Sequence, residues 1–349
     1  MAMSAALEAH PDLERVARWL DEHHPPGAEL TDVSPMGGGT QNVMVRFRRG
    51  GRRLVLRRPP PHPRATSNDA LRREMRVLDA LNGTAVPAPR LVAQCPSTDV
   101  LGGAVFYLMD DVDGVNLTVE LPPTYANDSA VRCEAGLAAA RAAAALGAVD
   151  PAAVGLTDLG RPKGFLERQV PRWRRELDSY SELDGYPGPQ LPEVGAVGDW
   201  LERHRPAPAP PGLMHGDFHL ANIMFRADRP EVAAIVDWEM ATVGDPLLDL
   251  GWLLATWPVP GEDGVWSGTP VAEAGGLATR EDLVAAYAEH SDRDLSAIDW
   301  YQILACFKLG ILLEGTHARA CAGKAPKATG DKLHRNAVAL FDQALRHLH

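Results

Sequence analysis

The sequence predicts an α+β protein, with a small antiparallel-sheet part followed by a larger, mainly helical part. Three observations carry this prediction. Residues 41–58 alternate apolar and polar around Gly50-Gly51; beyond about residue 115 the apolar spacing becomes helical; and a polar run, 215–222, interrupts the helices between two short apolar segments. The chain has 349 residues, room for about two domains. The change of pattern places them at 1–110 and 111–349.

Leu13, Val16 and Leu20 recur at helical spacing, giving an opening amphipathic helix over 11–24 that Pro25, Pro26 and Gly27 end. Val43, Val45 and Phe47, then Leu54 and Leu56 across Gly50-Gly51, spell a β-hairpin. Leu71, Met75, Leu78 and Leu81 mark a helix that stops at Asn82-Gly83, and 91–94 and 104–110 read as two further strands. The expected order up to residue 110 is helix, hairpin, helix, two strands. Helical patterns follow over 129–147, 164–180, 192–204, 247–256, 279–290, 297–318 and 330–348, with short strands within 213–225 and 232–238. Arg205 to Gly212, with four prolines, reads as a stiff connector.

Composition narrows the function classes. Hydrophobic residues at 45% and charged residues at 23% fit a globular protein rather than a disordered or fibrous one. The longest apolar-looking stretch, Ala135 to Val149, is mostly alanine and contains Arg141, short of the roughly 20 apolar residues of a membrane span. No membrane segment is expected, and Met1 to His10 lacks a secretory pattern, so a cytoplasmic location is expected. Cys95, Cys133, Cys306 and Cys321 lie far apart without a Cys-x-x-Cys pair; buried free thiols are expected rather than disulfides or a structural zinc site. Residues 41–90 hold twelve arginines against three acids, a net +9, which leaves −20 on the rest of a chain whose total is −11. One basic segment on an acidic body argues against a nucleic-acid partner. Its arginines fit either a solvated strand face or contacts to a polyanion such as nucleotide phosphates.

The chemistry lies in the polar run. Asp217 and Asn222 are five residues apart between apolar segments, and Asp237 follows at the end of the apolar run Ala233 to Val236. Phosphoryl transfer calls for a carboxylate that orients and deprotonates the attacking hydroxyl, and for an amide oxygen and a second carboxylate that hold Mg2+ against nucleotide phosphates. Singly these residues are ordinary turn formers; together, His-x-Asp-x-x-x-x-Asn followed by a strand and Asp is specific.

With His215-Gly216-Asp217 through Asn222, Asp237-Trp238-Glu239 and Gly244-Asp245-Pro246-Leu247-Leu248-Asp249-Leu250 in place, the sequence resembles the aminoglycoside phosphotransferase family of the protein-kinase-like superfamily. Val55 to Pro60 and Arg168 to Trp173 resemble the branch associated with acyl-CoA dehydrogenases; the resemblance covers about residues 25–320. It implies a bilobal protein-kinase-like fold, with 1–110 a nucleotide-binding N-lobe and 111–349 a C-lobe carrying the catalytic loop, metal and acceptor sites. Gly216 stands where protein kinases usually have Arg, and Ala145-Leu146 where relatives often carry Leu-His.

Position then assigns the remaining site residues. Met36 to Asn42, with Gly38, Gly39 and Asn42, stands where kinases have a loop over the phosphates, although alone it reads as a hairpin turn. Arg57 fills the place of the phosphate-pairing lysine, with Arg58 as the alternative, and Glu74 is its partner on the next helix or a solvated helix residue. Asp110 and Val112, within Met109 to Gly114, form the hinge whose backbone meets the adenine. His219 is a contact to the γ-phosphate or the acceptor, His215 ties the loop to the backbone near Asp237, and Asp245 and Asp249 hold the loop amides.

The implied activity is ATP-dependent transfer, or transfer from another NTP, with Mg2+, to a hydroxyl of a small molecule; the oligomeric state is left open. Six cations over 161–175, namely Arg161, Lys163, Arg168, Arg172, Arg174 and Arg175, favour an anionic acceptor such as a hydroxyacyl-CoA thioester over a cationic aminoglycoside, with Trp173 either a face for its adenine or acyl portion or a core anchor. The alternatives are a catalytically silent nucleotide-binding module, an aminoglycoside-modifying kinase, and a transition-metal hydrolase using His215, Asp217, His219 and Asp237, which explains neither Asn222 nor the basic hairpin. No Gly-x-Ser-x-Gly and no Gly-x-x-x-x-Gly-Lys-Ser/Thr is present.

Overall fold

The structure is a computed structural model describing residues 12–24, 29–37, 42–60, 65–262 and 264–348. Its contacts divide the described residues into two units. One comprises the chain up to Asp113 together with Ala234–Glu239; the other comprises Gly114–Ala233 and Met240 onward.

The first unit is built on helix α1 (Asp12–His23), strands β1 (Leu30–Met36), β2 (Val43–Arg49) and β3 (Arg52–Arg58), helix α2 (Ser67–Leu81), and strands β4 (Leu91–Cys95) and β5 (Phe106–Asp110). The strands form one antiparallel sheet in the order β1-β2-β3-β5-β4. Gly50 and Gly51 turn the β2–β3 hairpin at φ 56° and 79°, a pairing that glycine adopts without strain. Leu13, Val16 and Leu20 of α1 join Phe47, Leu54, Leu56, Phe106 and Leu108 in one apolar cluster. Successive β3 residues face opposite sides of the sheet, so Leu54 and Leu56 enter this cluster while Arg57 faces Glu74 of α2. Strand β1 is an addition to the expected order. Its apolar alternation is lost because only Leu30 is buried, a register shift falls between Thr31 and Ser34, and Pro35 is tolerated because the strand lies at the sheet edge.

The second unit is mainly helical: α3 (Pro123–Asn127), α4 (Ser129–Gly147), α5 (Gln169–Ser179), α6 (Val194–Arg203), then, after short strands, α7 (Leu247–Thr256), α8 (Pro270–Ala274), α9 (Arg280–Ala288), α10 (Ile298–Cys321) and α11 (Lys327–Arg346). α4 is alanine-rich because it is gripped on several sides: a Cβ at Gly136 would lie 2.8 Å from the Trp257 ring, and one at Gly147 2.9 Å from Pro246. All ten residues of α7 are buried, so it reads as an apolar run without a polar face. Strands β6 (Gly212–Met214), β7 (Ile223–Phe225), β8 (Val232–Ile235) and β9 (Thr242–Gly244) punctuate these helices, β6 pairing with β9. The expected strand over 232–238 is shorter than read. β8 ends at Ile235, Asp237 takes a left-handed φ of 68°, and a 3₁₀ turn follows at Trp238–Met240. Cys95 and Cys306 are buried as expected, whereas Cys133 is half-buried and Cys321 exposed, because both stand on outward parts of their helices.

Phe47 is fully buried in the first unit's apolar cluster. Phe47→Ala is expected to lower stability by about 3–5 kcal/mol in urea unfolding, against about 0.5 kcal/mol or less for Val119→Ala, whose side chain is exposed.

Candidate functional site

In the helical unit, the loop after β6 is held by buried polar contacts. The Asp249 carboxylate, at the start of α7, accepts the backbone N–H groups of His215 at 2.6 Å and Gly216 at 2.9 Å. On the other side of the same residue, the Gly216 carbonyl accepts from Lys308 Nζ at 3.0 Å. Gly216 sits at φ 84°, and a Cβ there would lie 2.5 Å from the Met240 carbonyl oxygen, so no side chain fits. His215 Nδ1 accepts from the Asp217 N–H at 3.3 Å. The amide nitrogen of Asn222 donates to both the backbone oxygen of Asp217 at 3.0 Å and its Oδ2 at 3.1 Å. His219 Nε2 lies 3.2 Å from Asp217 Oδ1, its ring edge-on to Trp266. Asn116 Nδ2 closes the loop on the Ala221 carbonyl at 2.6 Å.

These contacts set the charge state. Burial would raise the Asp217 carboxyl, but the hydrogen bond from His219 and the electrostatic pull of His219, His215 and Lys308 outweigh it and hold the group down to about 2. Asp249 moves the other way: burial pushes it up to about 6 against the pull of its two backbone donors and Lys308. Burial brings Lys308 down to about 8, partly offset by Asp217 and Asp249. Its ammonium lies over the Trp252 ring at 4.2 Å and within 5.7 Å of Trp173, faces that replace part of its lost hydration.

In the sheet unit, Arg57 is buried with its guanidinium between two carboxylates: Nε is 3.3 Å from Glu74 Oε2 and Nη2 donates to Asp237 Oδ1 at 2.7 Å. Burial opposes the cation, but these acids more than compensate, so Arg57 stays charged. Glu74 is 1% exposed, which excludes the solvated reading. Burial raises it to about 7 against the attraction of Arg57, and it accepts the Trp238 N–H at 3.3 Å. Arg58 instead pairs with Asp12 and bonds the Pro59 carbonyl.

The remaining predicted residues are dispersed. Gly38 and Gly39 lie outside the described residues, and Asn42 directly precedes β2. Asp110 binds Arg52 through both carboxylate oxygens, its N–H goes to the Arg90 carbonyl, and Val112 is half-buried two residues on. The basic hairpin is not a bare cationic face: Arg46 and Arg53 share Asp111, Arg48 meets Asp32, and Arg49 meets Asp21. Asp245 accepts from Tyr301 Oη at 2.7 Å. The six cations of 161–175 do not form one patch, because Arg174 turns to Asp199 and Glu202 and Arg168 bonds the Lys163 and Arg161 carbonyls. Trp173 is buried, a core anchor rather than an open face. Sequence reasoning missed Lys308 entirely; the one available signal was a lysine inside the otherwise apolar run of 303–312.

Fold and loop together define a protein-kinase-like phosphotransferase. Residues 32–299 match the model of the phosphotransferase enzyme family, APH, and the chain belongs to that family, whose members transfer phosphoryl groups to hydroxyl acceptors. It is 27% identical over 300 residues to acyl-CoA dehydrogenase family member 10 of Mus musculus, and 31% identical over 322 residues to "Probable acyl-CoA dehydrogenase IBR3" of Arabidopsis thaliana. These matches take in 84% and 85% of this chain but only 27% and 38% of those two proteins. A crystal structure from Ralstonia eutropha, provisionally assigned as an aminoglycoside phosphotransferase, superposes with TM-score 0.78 at 26% identity, over 96% of this chain and 98% of that one. The macrolide 2′-phosphotransferase MphH of Brachybacterium faecium shares the fold at TM-score 0.57 and 18% identity, over 95% and 98% of the two chains. No helix among the described residues is long and apolar enough to cross a membrane.

Lys308 carries a stability signature. Its pKa is lower folded, about 8, than unfolded, near 10.5, so between these values the unfolded chain binds more protons and this group's contribution to stability rises with pH. The wild-type chain should therefore gain up to about 3 kcal/mol relative to Lys308→Met between pH 8 and 10.5, read as converging or crossing denaturation midpoints. Parallel pH profiles would show that the buried ammonium is not strained.

Proposed function

We propose that this chain is an ATP- and Mg2+-dependent small-molecule kinase in which Asp217 orients the acceptor hydroxyl. The observation that supports this most is the setting of Asp217: a buried carboxylate held down to about 2 by its contact with His219 and the pull of His215 and Lys308, and fixed by the Asn222 amide. So acidic a group is a weak proton sink before the phosphorus–oxygen bond breaks. It accepts the hydrogen bond of the hydroxyl, aims the oxygen, and takes the proton late, as a loose phosphoryl-transfer transition state permits.

The donors suit magnesium. Asn222 commits its amide nitrogen inside the loop, which leaves the amide oxygen as its ligand atom, and Asp237 is a hard carboxylate with 42% of its side chain exposed. Asn222 and Asp237 would hold the ion, which when bound neutralises phosphate charge. Arg57 would serve the phosphates through Asp237 and Glu74 rather than as a free cation, since both acids already engage it. Val112 and the backbone around Asp110 would meet the adenine, and Gly38, Gly39 and Asn42 the phosphates. The nucleotide reading draws on the solved APH(4)-Ia complex with ADP and hygromycin B, which shares the fold.

For the acceptor we propose an anionic, hydroxylated metabolite, an acyl-CoA-type thioester first, in keeping with the names of the dehydrogenase relatives. Of the six cations, Arg172 supports this best: it is exposed, stacks over Trp173 at 4.8 Å, and its charge is felt by Lys308 beside the loop.

Asp217→Ala should lower turnover by about 10²- to 10⁴-fold while nucleotide binding persists, and Asp237→Ala should lose magnesium-dependent nucleotide binding in calorimetry. Full activity in both variants would defeat the assignment; nucleotide binding without turnover in the wild-type chain, across hydroxyl-bearing metabolites, would leave a silent module. With a hydroxyacyl-CoA as acceptor, Arg172→Glu should raise its KM at least about tenfold with little change in that of ATP, and Arg174→Gln should change neither. Efficient turnover of kanamycin-like polycations, unaffected by Arg172→Glu, would replace the anionic acceptor by a cationic one.

A further inference from the structure

The last two helices of the helical unit carry a second set of ligating side chains. Glu314, His317 and Cys321 share one face of α10, and His334 comes from α11. The helices meet closely beside them: a Cβ at Gly330 would lie 2.4 Å from the Ala320 side chain. Glu314 is 0% exposed. Tyr186 Oη donates to its Oε1 at 2.8 Å, which turns Oε2 toward His334 Nδ1 at 2.7 Å. The His317 and His334 rings lie 4.5 Å apart at 28°, His317 Nε2 is 3.7 Å from Cys321 Sγ, and His317 Nδ1 is buried without a hydrogen-bond partner. One ligand atom each from Glu314, His317 and His334 fall within 4.8 Å of one another.

A fully buried carboxylate and a buried imidazole nitrogen without a partner are each costly, and one divalent cation satisfies both. A carboxylate and two imidazoles form a set that zinc accepts and magnesium does not. With Nδ1 as the His317 ligand atom, its Nε2 keeps the contact to Cys321 Sγ at 3.7 Å. The cysteine spacing, which argued against a Cys-x-x-Cys zinc site, does not bear on a set centred on two histidines and a glutamate.

We propose that Glu314, His317 and His334 bind a divalent transition-metal ion, zinc in the first place, which ties α10 to α11. Tyr186 orients the carboxylate for it. Binding is ligand exchange without redox change: the proton between His334 and Glu314 passes to the other ring nitrogen of His334, and water completes the coordination. The inference is independent of the kinase reading.

The test takes the full chain, stripped with chelator, equilibrated with zinc and desalted. One zinc per chain and a raised Tm are expected, with affinity weakened at least about tenfold in His317→Ala and in His334→Gln, and unchanged in Asp217→Ala. Because the histidine variants can also disturb packing, the unsubstituted chain supplies a second readout: cobalt(II) added to the stripped chain should give a visible d–d absorption band that one equivalent of zinc abolishes. Less than stoichiometric zinc, zinc retained by both histidine variants, or no such cobalt band would overturn the proposal.

Discussion

The backbone of Gly216 is clamped on both its N–H and its carbonyl side in a buried environment, and the geometry of the loop that carries Asp217 and Asn222 depends on it. Asp249 takes the N–H side and Lys308 the carbonyl side, so a carboxylate from α7 and an ammonium from α10 fix one backbone segment. A buried pair of opposite charges is costly unless its remaining hydrogen-bonding capacity is met. Here the backbone of the loop meets it, and the two tryptophan rings cover the cation. The clamp also explains the glycine: with φ positive and the Met240 carbonyl against the missing Cβ, the arginine of protein kinases could not stand at 216.

Charge in the sheet unit is organised differently. Five arginines of β2 and β3 are answered by Asp21, Asp32, Asp110 and a shared Asp111 on neighbouring segments, so much of a net +9 in the sequence becomes a lattice of mostly exposed ion pairs, each worth little in stability. Arg57 is the exception because it is buried. With Glu74 on one side and Asp237 on the other, it is a rigid spacer between two carboxylates, and arginine suits that place because its fork reaches both at once.

Local pattern made much of this legible. The hairpin and the helices over 129–147 and 247–256 are short-range features, and each stands where the residues indicate; the five-residue spacing of Asp217 and Asn222 is short-range too, and the loop brings those two side chains together. What escaped was non-local. Lys308 lies far along the chain from the loop it clamps, in a helix whose apolar neighbours read as core. β1 buries one residue and so shows no period. The cations of 161–175 are contiguous in sequence but leave their helix in different directions, which charge counting cannot see. Trp173 is closed off by residues distant in the chain, which its own sequence neighbourhood does not reveal.

The segment Ala234–Glu239 has a topological consequence. It belongs with the sheet unit, where the Ile235 N–H bonds the Pro87 carbonyl and Asp237 bonds Arg57, yet it is covalently bounded on both sides by the helical unit. The sheet unit is therefore discontinuous in sequence, and a fragment cut after Asp113 would lack Asp237, one of the two carboxylates that compensate its buried arginine. The two units cannot be shuffled as independent modules by simple recombination; an exchange that keeps both intact has to move two separate stretches of chain together.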